Sequence, residues 1–186
     1  ERGRVKSDPS YLDNQELIRI RQYVQSNAFL SFIIELFLLT GIRRAEFLET
    51  SLTSLDLDAR KLKIVGKGGK VRYVRFPQSF LSILRDYLSW RADKAKEGIF
   101  NLVISPKTGE GMKISELEYI FKRLSKATGI HIYPHKLRHT FGTLARQKGM
   151  TLEQIKKLLG HSNISTTEWY VHIEPEVEEA YDKAFP

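Results

Sequence analysis

Cysteine is absent from the 186 residues, which rules out disulfide bridges and thiolate chemistry and fits a reducing cytosol. Long apolar runs are absent as well. The longest, Ala28 to Leu39, is too short to span a bilayer and is interrupted by Glu35. No signal-peptide pattern, internal repeat or low-complexity segment stands in the chain. Acidic residues are scarce relative to basic ones, 22 against 30, for a net charge of +8. The length suffices for one domain with a sizeable core. The first residue is Glu1 rather than Met, so the chain is expected to be a fragment whose N-terminal portion is missing.

The charge is unevenly spread. Residues 174–186 carry −4, which leaves +12 on residues 1–173. A basic body favours a polyanionic partner, and an acidic tail favours something else.

Residues 1–12 read as a linker remnant. Asp13 followed by Glu16 signals a helix start, predicting a helix from Asn14 to about Ser26. Asn27 can cap a second helix over Ala28 to Leu39, which is apolar nearly all round and therefore central and buried. Thr40-Gly41 breaks it, and a third helix is predicted over Arg43 to Glu49. The period then changes from helical to alternating. Leu55 and Leu57, Leu62 and Ile64, and Val71 to Phe76 predict a three-stranded antiparallel meander, with Gly66-Lys67-Gly68-Gly69-Lys70 as a glycine-rich turn. Apolar stripes predict further helices from Phe80 to about Ala95, from Ile114 to near Gly129, over His135 to Gln147 and over Leu152 to Leu159. The fold class is mainly α with a small three-stranded antiparallel sheet, and residues 13–173 form one domain. Val177, Ala180, Tyr181, Ala184 and Phe185 make one apolar stripe on a short acidic helix that begins at Pro175, within residues 174–186.

Chemistry concentrates between Pro134 and Tyr170. At about 100° per residue, His135, Arg138 and His139 share one side of a helix while Leu137, Phe141 and Leu144 gather opposite. Pro134 suits the first helical turn, whose unpaired amides favour anions. Gly160 stops the following helix, so His161 stands on a turn, and Tyr170 lies nine residues further on. Cationic and proton-transferring groups beside a tyrosine suggest phosphoryl transfer. A zinc site on His135 and His139 is rejected, because Lys136 and Arg138 stand between them and no His-Glu-x-x-His pattern exists. A phosphate-binding P-loop is rejected too, since Gly-Lys-Gly-Gly-Lys lacks the required spacing and no helix follows it.

The blocks His-Lys-Leu-Arg-His and Leu-Gly-His-Ser, the terminal Tyr170, and Thr40-Gly41-Ile42-Arg43-Arg44-Ala45-Glu46 together closely resemble the tyrosine recombinases, the phage-integrase and Xer family. The resemblance covers roughly Asp13 to Ile173, with four blocks in the expected order. It implies the catalytic-domain fold of that family and DNA strand cleavage and rejoining through a 3′-phosphotyrosine and a Holliday junction. It further implies that Arg43, Arg138 and His161 hold the scissile phosphate, that His135 contacts the phosphate and assists proton transfer, and that Tyr170 is the nucleophile. Lys67 on the hairpin is the expected general acid, with Lys70 as the alternative; Tyr133 is the competing tyrosine. His139 is expected to support the site from behind. No metal or other cofactor is implied. The expected partners are double-stranded DNA and further copies of the chain in a tetrameric synapse, the helix of residues 174–186 docking on its own domain in the free monomer and being exchanged between subunits in the synapse; no membrane is involved. The expected location is the cytoplasm of a prokaryotic host, on the nucleoid. Family members also carry an N-terminal core-binding domain, which these residues do not include. Two other enzymatic outcomes share the chemistry, a type IB topoisomerase-like enzyme and a telomere resolvase. A non-catalytic DNA-binding domain of the same fold is the reading of another class.

Overall fold

The computed structural model describes residues 10–66, 69, 71–160, 170–171 and 175–186. Its first helix, α1 (Asn14–Val24), starts where Asp13 accepts from the Glu16 amide at 2.8 Å while Glu16 accepts from the Asp13 amide at 2.9 Å. This reciprocal cap satisfies two of the amides that every helix start leaves unpaired. Helix α2 (Ala28–Thr40) is capped by Asn27, whose side chain accepts from the Leu30 amide at 2.9 Å. It is the buried axis of the domain. Phe32 stacks on Tyr87 with ring centroids 3.8 Å apart, and Phe37 packs on Phe47 at 4.7 Å. The one charge in this helix, Glu35, is neutralised by a two-point bond from Arg21 of α1, at 2.6 and 2.9 Å. A buried carboxylate of this kind requires such a partner.

Helix α3 (Arg44–Leu48) follows directly, with Arg43 in extended conformation as its N-cap. Strands β1 (Leu55–Asp56), β2 (Lys61–Val65) and β3 (Val71–Arg75) then form the expected antiparallel meander. Leu62 and Ile64 of β2 are buried while Lys63 and Val65 are exposed, the alternation that a one-faced sheet requires. The sheet also gains a strand that the sequence pattern did not predict. Strand β4 (Tyr170–Val171) runs parallel to β3, with Tyr170 opposite Val71 and Val171 opposite Arg72. Two residues are too few to display an alternation, which explains the omission.

Helices α4 (Phe80–Lys94) and α5 (Ile114–Thr128) complete the main core around α2. Helix α6 (Pro134–Gln147) lies against α2 with Leu137 and Phe141 fully buried, and it begins on Pro134, one residue before the predicted start. Helix α7 (Leu152–Leu159) and the C-terminal helix α8 (Pro175–Ala184) close a second apolar cluster. There Val177, Tyr181, Ala184 and Phe185 pack on Phe141, Ala145, Ile155 and Leu158. The acidic tail is therefore docked on its own domain. Among the described residues, no helix is long and apolar enough to cross a membrane.

Gly41 is the joint of this arrangement. Its φ of 60° ends α2 in the left-handed region, and a Cβ there would lie 2.6 Å from both Phe141 Cδ1 and Leu159 Cδ2. Gly41→Ala is expected to cost about 1–2 kcal/mol for the left-handed backbone, with about 1–3 kcal/mol more for overpacking. Urea denaturation of the two proteins measures this, and a loss under about 1 kcal/mol would show that α6 and α7 shift to make room.

Candidate active site

Arg43 follows the α2–α3 joint. Its amide donates to Glu46 Oε2 at 2.8 Å, its Nη1 to Glu46 Oε1 at 3.0 Å, and its Nη2 to the Gly160 carbonyl at 3.4 Å. The side chain nevertheless remains 43% exposed, so one side of the guanidinium faces the groove. Its neighbour Arg44 donates instead to Glu118 of α5, at 2.6 Å, on the wall of the same groove.

Arg138 approaches the same place from α6. It is buried, and its two terminal nitrogens donate to the carbonyls of Gly41 and of Leu159, the latter at 2.7 Å. Burial, and then the charges of Arg43 and Arg72, push its pKa down to about 10, so it stays cationic at neutral pH. On the exposed side of α6, His135 and His139 meet with their Nε2 atoms 2.9 Å apart. One of the two nitrogens carries hydrogen and the other accepts it. Burial, then the charges of His139 and Arg138, lower the His135 pKa and so favour its neutral form. These side chains line an open groove of about 1350 Å³ between α3, α5 and α6, with Tyr133 at its edge.

Thus Arg43, His135, Arg138 and His139 converge. Lys67, its alternative Lys70, and His161 lie outside the described residues, as does the side chain of Tyr170. The backbone around them is set by elements already named: β2 and β3 flank the hairpin, Gly160 precedes His161, and Tyr170 stands in β4 beside β3.

Two residues of this site escaped the sequence reading. Glu46, only 6% exposed, receives both Arg43 and Arg72; Arg72 Nη2 lies 2.7 Å from Oε2 and Nε 3.3 Å from Oε1. Burial alone would raise the Glu46 pKa, but the bond and charge of Arg72, then those of Arg43, hold it below the ordinary carboxylate range. Glu46 closes the motif that drew attention to Arg43, yet a carboxylate three residues into a helix reads first as an ordinary capping residue. Arg72 left a subtler trace. By strand alternation it shares a face with Val74 and Phe76, both buried, and a charge at such a position requires a partner inside.

The fold is one found in solved recombinases. The crystal structure of XerA recombinase matches with a TM-score of 0.76 at 27% identity, over 97% of this chain and 66% of that one. XerH site-specific recombinase bound to its difH substrate matches with a TM-score of 0.69 at 26% identity, over 94% of this chain and 54% of that one. The tyrosine recombinase XerC of Corynebacterium glutamicum is 37% identical over 158 residues, covering 84% of this chain and 51% of the relative. This architecture is the tyrosine-recombinase catalytic-domain fold. The sequence profile of the phage integrase family matches residues 10–176, and the chain belongs to that family. It spans about half the length of the curated relatives it matches.

The lowered pKa of Glu46 fixes the sign of a pH effect. A carboxyl held below its unfolded value of about 4.3 stabilises the fold fully above that value and ceases to do so as pH falls through the lower folded one. Glu46→Gln should therefore cost roughly 1.5–3 kcal/mol at pH 7, where a charged hydrogen-bond network is lost. The deficit should shrink as pH falls below about 4. Urea titrations across this range measure it; an equal deficit at both ends would trace the effect to shape rather than ionisation.

Proposed function

We propose that this chain is the catalytic domain of a site-specific DNA recombinase that breaks and rejoins strands through a tyrosyl ester. The observation that carries the proposal is the convergence of Arg43 and Arg138 beside the hydrogen-bonded His135–His139 pair in an open groove. The family adds the resemblance of Lys67, His161 and Tyr170.

In this reading the scissile phosphate sits against Arg43, Arg138 and His161. The Tyr170 hydroxyl attacks phosphorus as its proton passes to His135, and His139 shares that proton across their hydrogen bond. The new bond joins the Tyr170 oxygen to phosphorus at the 3′ side. The bond broken is that to the 5′-oxygen, which leaves as a hydroxyl with a proton from Lys67. A 5′-hydroxyl from the partner strand reverses these transfers and rejoins DNA. The ester conserves the bond energy, so the steps balance without an external energy source. The arginines act on charge that accumulates on the phosphate oxygens, and losing one such donor typically costs about 10²–10³-fold in rate. Such a reaction takes place on the nucleoid.

A nicked suicide duplex tests this. Tyr170→Phe should bind DNA yet form no covalent adduct on a denaturing gel, and an adduct from that variant would shift the assignment to Tyr133. Lys67→Ala should be rescued by a 5′-bridging phosphorothiolate, whose sulfur departs unprotonated, whereas Arg43→Ala should not. Equal lack of rescue would leave Lys67 as a binding residue and move the test to Lys70.

The partners follow from the same reading: double-stranded DNA held by the basic body, and a tetrameric synapse in which α8 passes to a neighbouring subunit. What supports the exchange is how α8 is held. Arg75 reaches Asp182 at 2.6 Å and Glu178 at 3.0 Å, and Lys61 reaches Glu178 at 2.6 Å. Among the described residues, release of the tail breaks these ion pairs, that of Arg60 to Asp182 at 3.6 Å, the hydrogen bonds from Tyr181 to the Leu39 carbonyl and from Ser79 to the Pro186 carbonyl, and one apolar stripe. The same contacts serve equally when made by a neighbour. Removing residues 174–186 uncovers Phe141 and Ile155, so Glu178→Gln/Asp182→Asn is made beside that truncation. Both should bind single sites and fail to form the slowest-migrating complexes on native gels. Normal assembly by both would make α8 a local lid.

A further inference from the structure

All three guanidinium nitrogens of Arg72 are engaged within the protein. Its side chain is 11% exposed. Nε and Nη2 grip the two oxygens of Glu46, and Nη1 donates to the Leu158 carbonyl at 2.9 Å. It also packs beneath Gly160, since a Cβ there would stand 3.0 Å from Arg72 Cδ. Its neighbour Arg43 uses the same carboxylate but is only half engaged. Its Nη1 bonds Glu46 at 3.0 Å, while its Nη2 makes a single long contact of 3.4 Å.

The arrangement sets up a competition. A buried carboxylate is strongly driven to surround itself with cations, because its desolvation is otherwise uncompensated. With Arg72 in place, Glu46 receives a two-point bond from a residue that does nothing else in the groove. Without it, the guanidinium placed to replace those bonds is that of Arg43, which already bonds Oε1 of the same carboxylate. Arg43 would then turn inward and lose the face it presents to the groove.

We propose that Arg72 is a positioning residue: it balances Glu46 so that the Arg43 guanidinium stays available to a phosphate. The inference rests on the recombinase reading above. It distinguishes Arg72 from a brace that merely ties β3 to α3 and α7. A brace acts through its geometry, whereas a balancing charge becomes dispensable once the carboxylate is removed.

The test measures single-turnover adduct formation on the nicked duplex at saturating DNA, with circular dichroism as the fold control. Arg72→Met and Arg72→Gln are made in parallel, the second keeping a hydrogen bond to Glu46 without the charge. Each should slow adduct formation by roughly 10–100-fold, less than the full loss of a phosphate donor, with DNA affinity little changed. Arg72→Lys keeps the charge and should recover most of that deficit. Adding Glu46→Gln to Arg72→Met should raise the rate about tenfold above Arg72→Met alone, because the carboxylate that captures Arg43 is gone. Two results would overturn the inference: rates within about threefold of the parent for both neutral variants, or a double variant no faster than the single one. The recombinase reading is checked separately by the parent protein and Tyr170→Phe. If the parent forms a Tyr170-dependent adduct while the Arg72 variants behave as just stated, only the role of Arg72 is refuted.

Discussion

Burying like charges together is costly, and here Arg43, Arg72 and Arg138 crowd around the single carboxylate of Glu46. The domain offsets the excess with backbone. The acceptors are the carbonyls of Gly41, Leu158, Leu159 and Gly160, and all four belong to helix ends: α2 stops at Gly41 and α7 at Gly160. The last carbonyls of a helix have no partner within it and carry the negative end of its dipole. Two helix C-termini aimed at one spot therefore supply the partial negative charge that one carboxylate cannot.

That convergence explains why glycines stand where they do. A helix whose terminal carbonyls must point at a neighbour's guanidinium has to end sharply, and the left-handed residue that does so tolerates no side chain cheaply. At Gly41 the restriction is doubled, because Phe141 and Leu159 occupy the place of a Cβ. The same packing fixes α6 against α2, and hence the direction in which His135 and His139 leave α6. Cation cluster, helix ends and imidazole pair are one construction.

Much of this was legible in the sequence, for reasons that differ by element. Helices α1 and α2 declared themselves through local chemistry: Asp13 with Glu16, and Asn27, form the caps that their side chains suggest. The meander showed its alternation. Arg43, Arg138 and His135 were found through short motifs whose spacing survives folding. Arg72 and Glu46 were missed because their meaning lies in each other, twenty-six positions apart, and no local pattern encodes such a pairing. Strand β4 was missed because only its partner β3 makes those two residues a strand. The apolar stripe of α8 and its docking on its own domain were legible, but a stripe does not name the residues it covers, and Phe141 and Ile155 came from the fold.

Strand β3 joins the two halves of the molecule's electrostatics. Arg72 and Arg75 are three residues apart and so point to opposite faces. One grips Glu46 at the arginine cluster; the other grips Asp182 and Glu178 of α8. Each face thus sets a strand arginine against carboxylates from a helix outside the sheet. The two ion-pair systems are separated only by the thickness of the strand, and β4 is hydrogen-bonded along its edge at Val71 and Arg72. Fastening α8 therefore fastens the strand from which Arg72 reaches Glu46. The strand that aligns Tyr170 belongs to the same rigid ladder. The acidic tail and the arginine cluster are thus anchored on opposite faces of one strand, so docking of the tail bears on the geometry of the groove.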